Sequence, residues 1–568
     1  EPLNAVTLEP EEEKVFRIKV KANNGIGIGK IKLIAKSEVK TVVHNIPLEI
    51  TLPAPHVSKV IKQIDKPLKK GEKMEWKLPK AFITGSDKAF VTISKLPKLS
   101  LKHHLNTLIK YPYGCIEQTT SAVLPQLYLN TLLANSKDQE NEINKNIDAG
   151  INRIQSFQLS SGGFSYWPGG RYASNWGTNY AGHFLISAKR KGHYVPDYLL
   201  KPWVKYQKSQ TYRGTILERV YRLYLLALYG EPDYGAMNQL YTNDLNKMKD
   251  VEKWILAASY SLTGNIDNSR SITRGLTTKV KSYFETGGTY GSALRDKAMI
   301  LTALIDIKGH DKKIKSLVKE IVQGLSLDQW RSTQTIGYSL MSIGRYLLEI
   351  NSKENNILSG EILYANGKKK SFSTNQILTT VPITDGFGKN IEVKVNSEKE
   401  SYINILWEGA PDPMNLKKLS QKISIERKWF NTIGEEIDIS ELKQGTSVWG
   451  YFKVKRIDSN NKNKLEELAL TQILPSGWEI DNSRLSKEVL PNWTNTFKLG
   501  QEEYLDIRDD RINWFFDLKQ YQKEIEFLVK ISIVTPGKYV LAPTLAEAMY
   551  DHAYKAILPA KKVSVTKP

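Results

Sequence analysis

The sequence predicts a multidomain chain in which an all-helical domain is inserted into β-sandwich structure. A length of 568 residues implies several domains. Apolar and polar residues alternate over the first hundred residues and again after about residue 355, which is typical of half-buried strands. Between residues 99 and 348 the apolar spacing is helical instead. The order strand, helix, strand therefore indicates that a helical domain interrupts a β domain.

Turns rich in glycine and aromatic residues introduce several of the predicted helices. The segments "SSGGFSYWPGG" and "ETGGTYGS", and later "LSLDQWRS", each precede a long apolar helix. Helical hairpins that repeat in this way bury their apolar faces by stacking on one another. By analogy we expect these hairpins to close into an α/α toroid. In the second β region, Asn366-Gly367 predicts a β-hairpin turn.

Composition and charge narrow the classes of protein that fit. Hydrophobic residues make up 40% of the chain, and 15 Phe, 12 Trp and 28 Tyr supply core material, so a folded protein is expected. No apolar run reaches the ~18 residues that a membrane-spanning helix needs. The net charge is +21, but no basic run is interleaved with aromatics. We therefore expect a solvated lysine-rich surface and no nucleic-acid partner. Because the chain opens on Glu1, we expect a processed protein or a piece of a longer one.

The chain contains one cysteine, Cys115, which excludes an internal disulfide framework and a cysteine-rich metal site. Such a cysteine is either a small buried hydrophobe or a reactive thiol. The charged run Arg508–Arg511 could pass for a metal site, but alternating signs in a turn favour ion pairs. We expect no metal and no cofactor.

The neighbours of Cys115 favour the reactive thiol. The segment reads "YPYGCIEQTTS" over residues 111–121. One helical turn brings Cys115 and Gln118 onto the same face, where the thiolate can displace ammonia from the amide to give an internal thioester. Gly114 gives the backbone freedom for this close approach. Glu117 is expected to orient or solvate the site rather than to act as an acid or base. The hydroxyls of residues 119–121 are predicted to cap the helix that follows.

This string resembles the thioester motif of the bacterial α2-macroglobulins and, more distantly, that of the complement thioester proteins. The resemblance extends to "GGFSYWPGG", "NWGTNYAGHFLISAKRKGHYVP", "LPSGWEI", "YLDIRDDRINWFF" and "TPGKYVLAPTLAEAMYD", in the order of the family. The resemblance covers essentially the whole chain. It implies that the chain is the C-terminal, thioester-bearing portion of such a protein.

The resemblance implies a domain plan for the chain. Residues 1–52 would end a macroglobulin-like β domain, and residues 413–568 would form the C-terminal macroglobulin-like β-sandwich. Residues 53–98 and 355–412 would be the two halves of a CUB-like β domain. Residues 99–354 would form the inserted thioester domain.

The resemblance also implies a function. In the family, a protease cuts an upstream bait region, and a lysine amine of the protease then attacks the exposed thioester. Cys115 would leave as a thiolate and Gln118 would supply the acyl carbon, so the protein would be an inhibitor with single-turnover acyl transfer, not an enzyme. The partners would be target proteases, together with upstream macroglobulin-like domains and the bait region of the parent chain.

A thioester hydrolyses in water, so shielding residues are expected. Tyr111 and Tyr113 are the nearest candidates in sequence, and the family-like segment "AEAMYD" offers Tyr550 first and Met549 second. Complement-like members add a histidine that passes the acyl group to hydroxyls. His183 is the candidate for such assistance, although its apolar helix face is more typical of a core histidine. Without that histidine, transfer should favour amines.

One alternative function stays open, and a second is set aside. The same thioester could serve a covalent surface-attachment module, an adhesin or an opsonin-like protein, which would lack a bait region. An enzyme on an α/α toroid would need an Asp-rich or zinc-binding motif, which the helical region does not show.

The family resemblance implies that the protein is found in the periplasm or at the outer surface of a Gram-negative bacterium. Membrane attachment is expected only through a lipid anchor upstream of this chain.

Overall fold

We analysed a computed structural model of the chain. It describes residues 11–14, 26–37, 39–50, 57–63, 67–79, 82–83, 85–95, 104, 108, 114–128, 137–325, 331–351, 357–376, 378–383, 387–458, 463–481 and 490–568. The α-helices in this part of the chain are α1 Ile116–Val123, α2 Lys137–Gln155, α3 Asn175–Arg190, α4 Asp197–Ser209, α5 Ile216–Tyr229, α6 Tyr234–Gln239, α7 Asp250–Leu262, α8 Ile266–Thr273, α9 Ala293–Ile307, α10 Asp311–Gly324 and α11 Thr333–Asn351.

Strands precede and follow the helices. Before them lie β1 Gly27–Lys36, β2 Thr41–Ile50, β3 Val57–Gln63, β4 Lys73–Lys77 and β5 Lys88–Ser94. After them come β6 Leu358–Tyr364, β7 Lys369–Thr374, β8 Leu378–Ile383, β9 Asn390–Val395, β10 Tyr402–Gly409, β11 Leu419–Gln421, β12 Ile423–Phe430, β13 Glu441–Lys443, β14 Ser447–Arg456, β15 Leu465–Ile473, β16 Trp478–Ile480, β17 Tyr504–Arg508, β18 Arg511–Leu518, β19 Glu524–Ile533, β20 Gly537–Leu541, β21 Thr544–Ala548, β22 Asp551–Leu558 and β23 Lys561–Thr566.

Strands from the two sides of the helical region share two four-stranded sheets. Their orders are β3-β10-β5-β8 and β4-β9-β6-β7, and one hydrophobic core, containing Val91, Ile362 and Ile405, lies between them. We call this unit the split sandwich. Its strand pairing brings residues 57–94 and 358–409 together, so the helical region is an insertion. The domain boundaries drawn from the sequence stay predictions.

The helices form a closed ring. Helix α1 packs on α3, α3 on α5, α5 on α7, α7 on α9 and α9 on α11, and α11 returns to α1. The remaining long helices lie outside this ring, with α2 against α1, α4 against α3 and α10 against α9. This arrangement is the α/α toroid that the repeated hairpins predict. In the described part of the chain, no helix is both long and apolar enough to cross a bilayer.

The strands after residue 418 form the C-terminal sandwich. Its largest sheet has the order β11-β22-β21-β15-β18-β17, and a second has the order β12-β14-β19-β16. The core of the sandwich lies between these sheets. Phe515, Met549 and Tyr550 belong instead to the hydrophobic cluster of the toroid. The C-terminal sandwich and the toroid therefore share an apolar interface, and this interface contains the candidate site.

Close packing between the inner helix α3 and the outer helix α4 sets the distance between these two layers of the toroid. Gly182 on α3 lies against the fully buried indole of Trp203 on α4, and the Trp203 indole N–H donates to the carbonyl of Thr178 at 2.8 Å. A Cβ atom added at Gly182 would lie 2.2 Å from the Trp203 ring. The space between these helices therefore requires glycine.

We expect Gly182→Ala to lower the free energy of unfolding of the toroid by about 1–3 kcal/mol, because the added methyl overpacks a rigid indole. Urea unfolding followed by far-UV circular dichroism measures this, since the α-helices described above all lie in the toroid. Gly235→Ala on α6 is the matched control, because an added Cβ there meets no atom closer than 3.5 Å. Equal midpoints for the two variants would contradict the packing argument.

Candidate functional site

The site is built on the first turn of α1. Cys115 is the N-cap of this helix, and its sulfur accepts a hydrogen bond from the Gln118 backbone N–H at 3.5 Å. Ile116 begins the helix, and its N–H donates to the carbonyl of Tyr166 at 3.0 Å. The thiol and the glutamine are thus held one turn apart at a helix N-terminus, with the turn before α3 as a second anchor.

The predicted hydroxyl caps are wrong. The helix begins at Ile116, earlier than expected, because Cys115 itself caps it. Thr120 and Ser121 therefore lie inside the helix. The Thr120 hydroxyl donates back to the Ile116 carbonyl at 2.7 Å, and the Ser121 hydroxyl donates to Glu117 Oε1 at 2.6 Å. One of the hydroxyls assigned to capping thus orients a carboxylate instead.

Both side chains of the Cys–Gln pair meet the same turn of the C-terminal sandwich. Met549 and Tyr550 lie in the turn between β21 and β22. Cys115 Sγ lies 3.6 Å from the Tyr550 hydroxyl, and Gln118 Nε2 donates to Met549 Sδ at 3.3 Å. Cys115 is 0% exposed and Gln118 is 3% exposed. Two consecutive residues of another domain therefore close over the pair.

The side-chain amide of Gln118 has few hydrogen-bond partners in this pocket. Among the described residues its Oε1 atom has no hydrogen-bond partner, and Nε2 donates only to a thioether, which is a weak acceptor. Burying a polar group without a partner costs about 1–3 kcal/mol. The pocket thus favours an acyl group without N–H donors over a primary amide.

Glu117 is a wholly buried carboxylate with three hydroxyl donors. Ser121 donates to Oε1 at 2.6 Å, whereas Thr333 of α11 and Tyr550 donate to Oε2 at 2.9 Å and 2.5 Å. Burial raises the pKa of Glu117, and the three hydroxyls partly oppose that rise. The carboxylate is therefore oriented by three separate elements of the fold.

The Cys115 thiol is kept protonated while the domains are in contact. Burial raises its pKa strongly, and the neighbouring Glu117 carboxylate raises it further. The hydrogen bond from the Gln118 backbone N–H acts in the opposite direction, as expected at a helix N-terminus. Because burial has the larger effect, the closed site does not hold a free thiolate.

Two tyrosines that the sequence argument did not single out complete the enclosure. The Tyr166 hydroxyl lies 3.2 Å from that of Tyr550. The Tyr290 ring lies 4.5 Å from the Tyr550 ring and stacks on Tyr166 at 5.9 Å, centroid to centroid. Each of the two lies in a glycine-aromatic turn before an inner helix. That repeat was visible in the sequence and could have identified them.

Glu467 of the C-terminal sandwich supports both the shield and its turn. It accepts from the Tyr290 hydroxyl at 3.1 Å, and its carbonyl accepts from the Met549 N–H at 2.8 Å. Its own N–H donates to Asp517 at 2.8 Å. Burial raises the pKa of Glu467 well above its usual range, and the charge of Asp517 adds to the rise. Glu467 lies in a bulge of β15 with φ of +57°, which the strand pattern did not reveal.

The other residues predicted for the site lie as follows. Gly114 precedes Cys115, and among the described residues a Cβ added there would meet only Arg153, at 3.4 Å. Tyr111 and Tyr113 lie outside the described residues. Of the two shields expected from the C-terminal domain, Tyr550 contacts the sulfur and Met549 contacts the amide.

His183 lies in the interior of the toroid. Its Nδ1 atom is 2.8 Å from the Tyr221 hydroxyl, and its ring packs edge-on against the rings of Tyr221 and Tyr224. Burial lowers the pKa of His183 to about 3, so the imidazole is neutral. The structure brings it to Tyr221 and not to Cys115.

In the described part of the chain, no group of three His, Cys, Asp or Glu side chains is arranged to hold a metal ion. In the charged turn at Arg508–Arg511, Arg508 pairs with Asp506 at 2.9 Å and Arg511 with Asp510 at 2.7 Å. These groups pair with one another, as the alternating signs suggested.

Two domain models match the chain. Residues 91–223 match the A-macroglobulin TED domain, and residues 423–552 match the bacterial α2-macroglobulin MG10 domain. The first includes the Cys–Gln pair, and the second includes Glu467 and the Met549–Tyr550 turn. The Cys–Gln pair and the turn that covers it therefore fall in the two matched ranges, whereas Tyr290 and Thr333 lie between them.

Curated relatives and solved structures that match this chain are also α2-macroglobulins. The α2-macroglobulin of Escherichia coli K12 is 23% identical over 84% of this chain and 30% of its own length, and that of Rickettsia conorii is 22% identical over 96% and 29%. This chain thus spans about a third of the length of these relatives. A crystal structure of native E. coli α2-macroglobulin from domain MG7 to the C-terminus matches with a TM-score of 0.76, at 19% identity, over 96% of this chain and 88% of that one.

A structure of Salmonella α2-macroglobulin reacted with methylamine matches with a TM-score of 0.78, at 21% identity, over 96% of this chain and 36% of that one. These matches confirm the predicted fold class of β-sandwich domains with an inserted α/α-toroid domain. The chain carries two domains of the α2-macroglobulin family and corresponds to the C-terminal portion of the bacterial α2-macroglobulins.

Proposed function

We propose that this chain is the thioester-bearing part of a protease inhibitor that captures proteases covalently. The acyl donor is a thioester between Cys115 and Gln118, and the acceptor is a lysine amine of the protease. The observation that carries the proposal is that the thiol and the amide share one sealed pocket under Met549 and Tyr550. The reaction is a single-turnover acyl transfer, so the protein is an inhibitor and not an enzyme.

The two steps of this chemistry balance without a cofactor. When the thioester forms, the Cys115 sulfur replaces nitrogen on the acyl carbon of Gln118, and the thiol proton leaves with the amide nitrogen as ammonia. When an amine attacks, a carbon–nitrogen bond forms and the carbon–sulfur bond breaks. The electron pair of that bond stays on sulfur, which returns to a thiol. The protease is thereby joined to residue 118 through an amide bond.

The pocket is suited to storing such a group because it excludes water. Cys115, Glu117 and Tyr550 are each 0% exposed, and a thioester survives only where water is kept away. The trigger is then any rearrangement that separates the C-terminal sandwich from the toroid. In the longer parent protein, we propose that cleavage of an upstream bait region causes this separation. The setting we propose is the periplasm or outer surface of a Gram-negative bacterium, with a lipid anchor, where there is one, upstream of this chain.

Intact mass spectrometry tests for the thioester directly. Because formation of the thioester releases ammonia, the untreated chain should weigh about 17 Da less than its sequence mass, and methylamine should then add about 31 Da and release one titratable thiol. Cys115→Ala is the control and should show neither change. A chain of full sequence mass with a thiol already free would contradict the proposal for that preparation of the protein.

Tyr550→Ala should accelerate loss of the thioester to water by about tenfold or more, because it opens a path to the sulfur in a pocket that excludes water. The half-life of the mass deficit at neutral pH measures this. Tyr539→Ala is the matched control in the same sandwich, since the Tyr539 hydroxyl donates to the carbonyl of Thr535 at 2.9 Å and the residue does not contact the site. An unchanged half-life in Tyr550→Ala would show that this tyrosine does not protect the thioester.

A further inference from the structure

The Tyr550 hydroxyl lies between a carboxylate and the thiol sulfur. Its oxygen is 2.5 Å from Glu117 Oε2 and 3.6 Å from Cys115 Sγ. A single hydroxyl therefore lies beside the sulfur and also donates a hydrogen bond to the buried Glu117 side chain. A nucleophile that approached a Cys115–Gln118 thioester through the space of this turn would meet the same carboxyl group. The Tyr550 hydroxyl thus occupies the acceptor position of Glu117 that lies nearest the sulfur.

We propose that Glu117 is the amine-binding group and general base of the acyl transfer. Until the C-terminal sandwich moves away, the Tyr550 hydroxyl occupies the position on Glu117 that the amine will take. This inference rests on the proposed function and assigns to Glu117 the acid–base role that the sequence argument did not give it. It also names the class of nucleophile that the site selects, a primary ammonium group such as that of lysine.

Glu117 keeps its orientation when Tyr550 leaves. Ser121 on α1 and Thr333 on α11 belong to the toroid and still donate to the two oxygens of the carboxylate. Only the hydrogen bond from the C-terminal sandwich is lost. The result is a fixed carboxylate with one open acceptor position on the side that faces the Cys115 sulfur. A partly desolvated carboxylate binds an ammonium more strongly than it binds a neutral hydroxyl.

The environment of Glu117 suits a base. Burial raises the pKa of Glu117 above its ordinary value, and a higher pKa makes a carboxylate a stronger proton acceptor. Among the described residues, the groups whose pKa the charge of Glu117 raises are Cys115, Tyr180, Tyr290, Tyr338 and Tyr550. Burial raises the pKa of each of these above its usual value. Glu467, behind Tyr290, is the second carboxyl near the site.

The proton transfers balance. The ammonium gives one proton to the Glu117 carboxylate, and the resulting amine attacks the acyl carbon. The carbon–sulfur bond breaks with its electron pair on Cys115, and the new amide nitrogen keeps one hydrogen. Of the two protons that the ammonium loses, one ends on the thiol and one passes to water, which restores the Glu117 carboxylate. An amine is favoured over an alcohol because only the ammonium both pairs with Glu117 and has a proton acidic enough to transfer.

The pH dependence of the reaction with methylamine distinguishes a base from a structural carboxylate. Without a base, the rate follows the free amine and rises about tenfold per pH unit up to the pKa of the amine, about 10. With Glu117 as base, the rate of the unsubstituted chain should rise with ionisation of Glu117 and then level off well below that pH. Glu117→Gln should react about 100-fold more slowly near neutrality and regain the steep slope. Glu117→Asp, which keeps a carboxylate, should be intermediate.

Hydroxylamine controls for access and folding, because at about pH 8 it is already neutral and has no ammonium proton to give to Glu117 before it attacks. A glutamine side chain at position 117 can still accept the hydrogen bond from Tyr550, so the domain contact is kept. Both nucleophiles then need the same access to the site, and the ratio of the methylamine rate to the hydroxylamine rate reports the proton transfer alone. We expect this ratio to fall in Glu117→Gln. Glu252→Gln is the matched control, because Glu252 is a buried carboxylate that accepts from the Lys249 N–H at the start of α7. Its ratio should not change.

The outcomes separate this inference from the function on which it rests. If the unsubstituted chain shows no mass deficit and takes up no methylamine, the proposed function fails. If the thioester is present but its methylamine rate rises steeply with pH throughout, Glu117 is not the base. The inference is also overturned if Glu117→Gln slows both nucleophiles equally, or if the plateau persists in Glu117→Gln and disappears in Glu467→Gln.

Discussion

The hydrogen bond from Tyr550 to Glu117 joins two domains, and the state of the candidate site depends on it. Both groups are wholly buried, and hydrogen bonds to charged groups contribute about 1.5–3 kcal/mol. The same turn carries Met549 onto the Gln118 amide. Because these two residues are consecutive, the turn cannot withdraw from the carboxylate without also uncovering the sulfur and the acyl carbon. One domain movement therefore exposes the electrophile and frees the carboxylate together.

The toroid explains why residues so far apart in sequence meet at this point. Cys115 caps α1, Tyr166 lies in the turn before α3, Tyr290 lies in the turn before α9, and Thr333 begins α11. All four helices belong to the inner ring, so their N-terminal ends lie at one end of the toroid. Helix N-termini favour negative charge. This end of the ring is thus suited to a buried carboxylate and to the thiolate that an acyl transfer would release.

The sequence predicted the order of the domains better than the contacts between them. Periodicity distinguished strands from helices, and Asn366-Gly367 is the turn of the β6–β7 hairpin, with Gly367 at φ of +79°. The spacing of Cys115 and Gln118 identified the pair that the first turn of α1 holds. Local patterns carry such information because turns and helix faces involve neighbouring residues.

Contacts between residues far apart in the sequence could not be predicted in this way. Glu467 reaches Tyr290 from a bulge in β15, and a bulge shifts the register of side chains without leaving a clear mark in the sequence. Thr333 reaches Glu117 over more than two hundred residues. The cap at Cys115 was missed for a different reason. Serine and threonine are the usual cap residues, and the thiol that takes their place here is the unusual feature of the site.

The contact between the domains also sets the direction of the proposed chemistry. While the site is closed, burial and the nearby carboxylate disfavour a thiolate at Cys115, and among the described residues the pocket offers the N–H groups of the Gln118 amide only a thioether as acceptor. A thioester relieves both penalties, because it has no ionisable sulfur and no N–H donors. When the domains separate, water solvates a free thiolate and an amide well, and both penalties vanish. The closed form therefore favours the stored acyl group, and the open form favours its transfer.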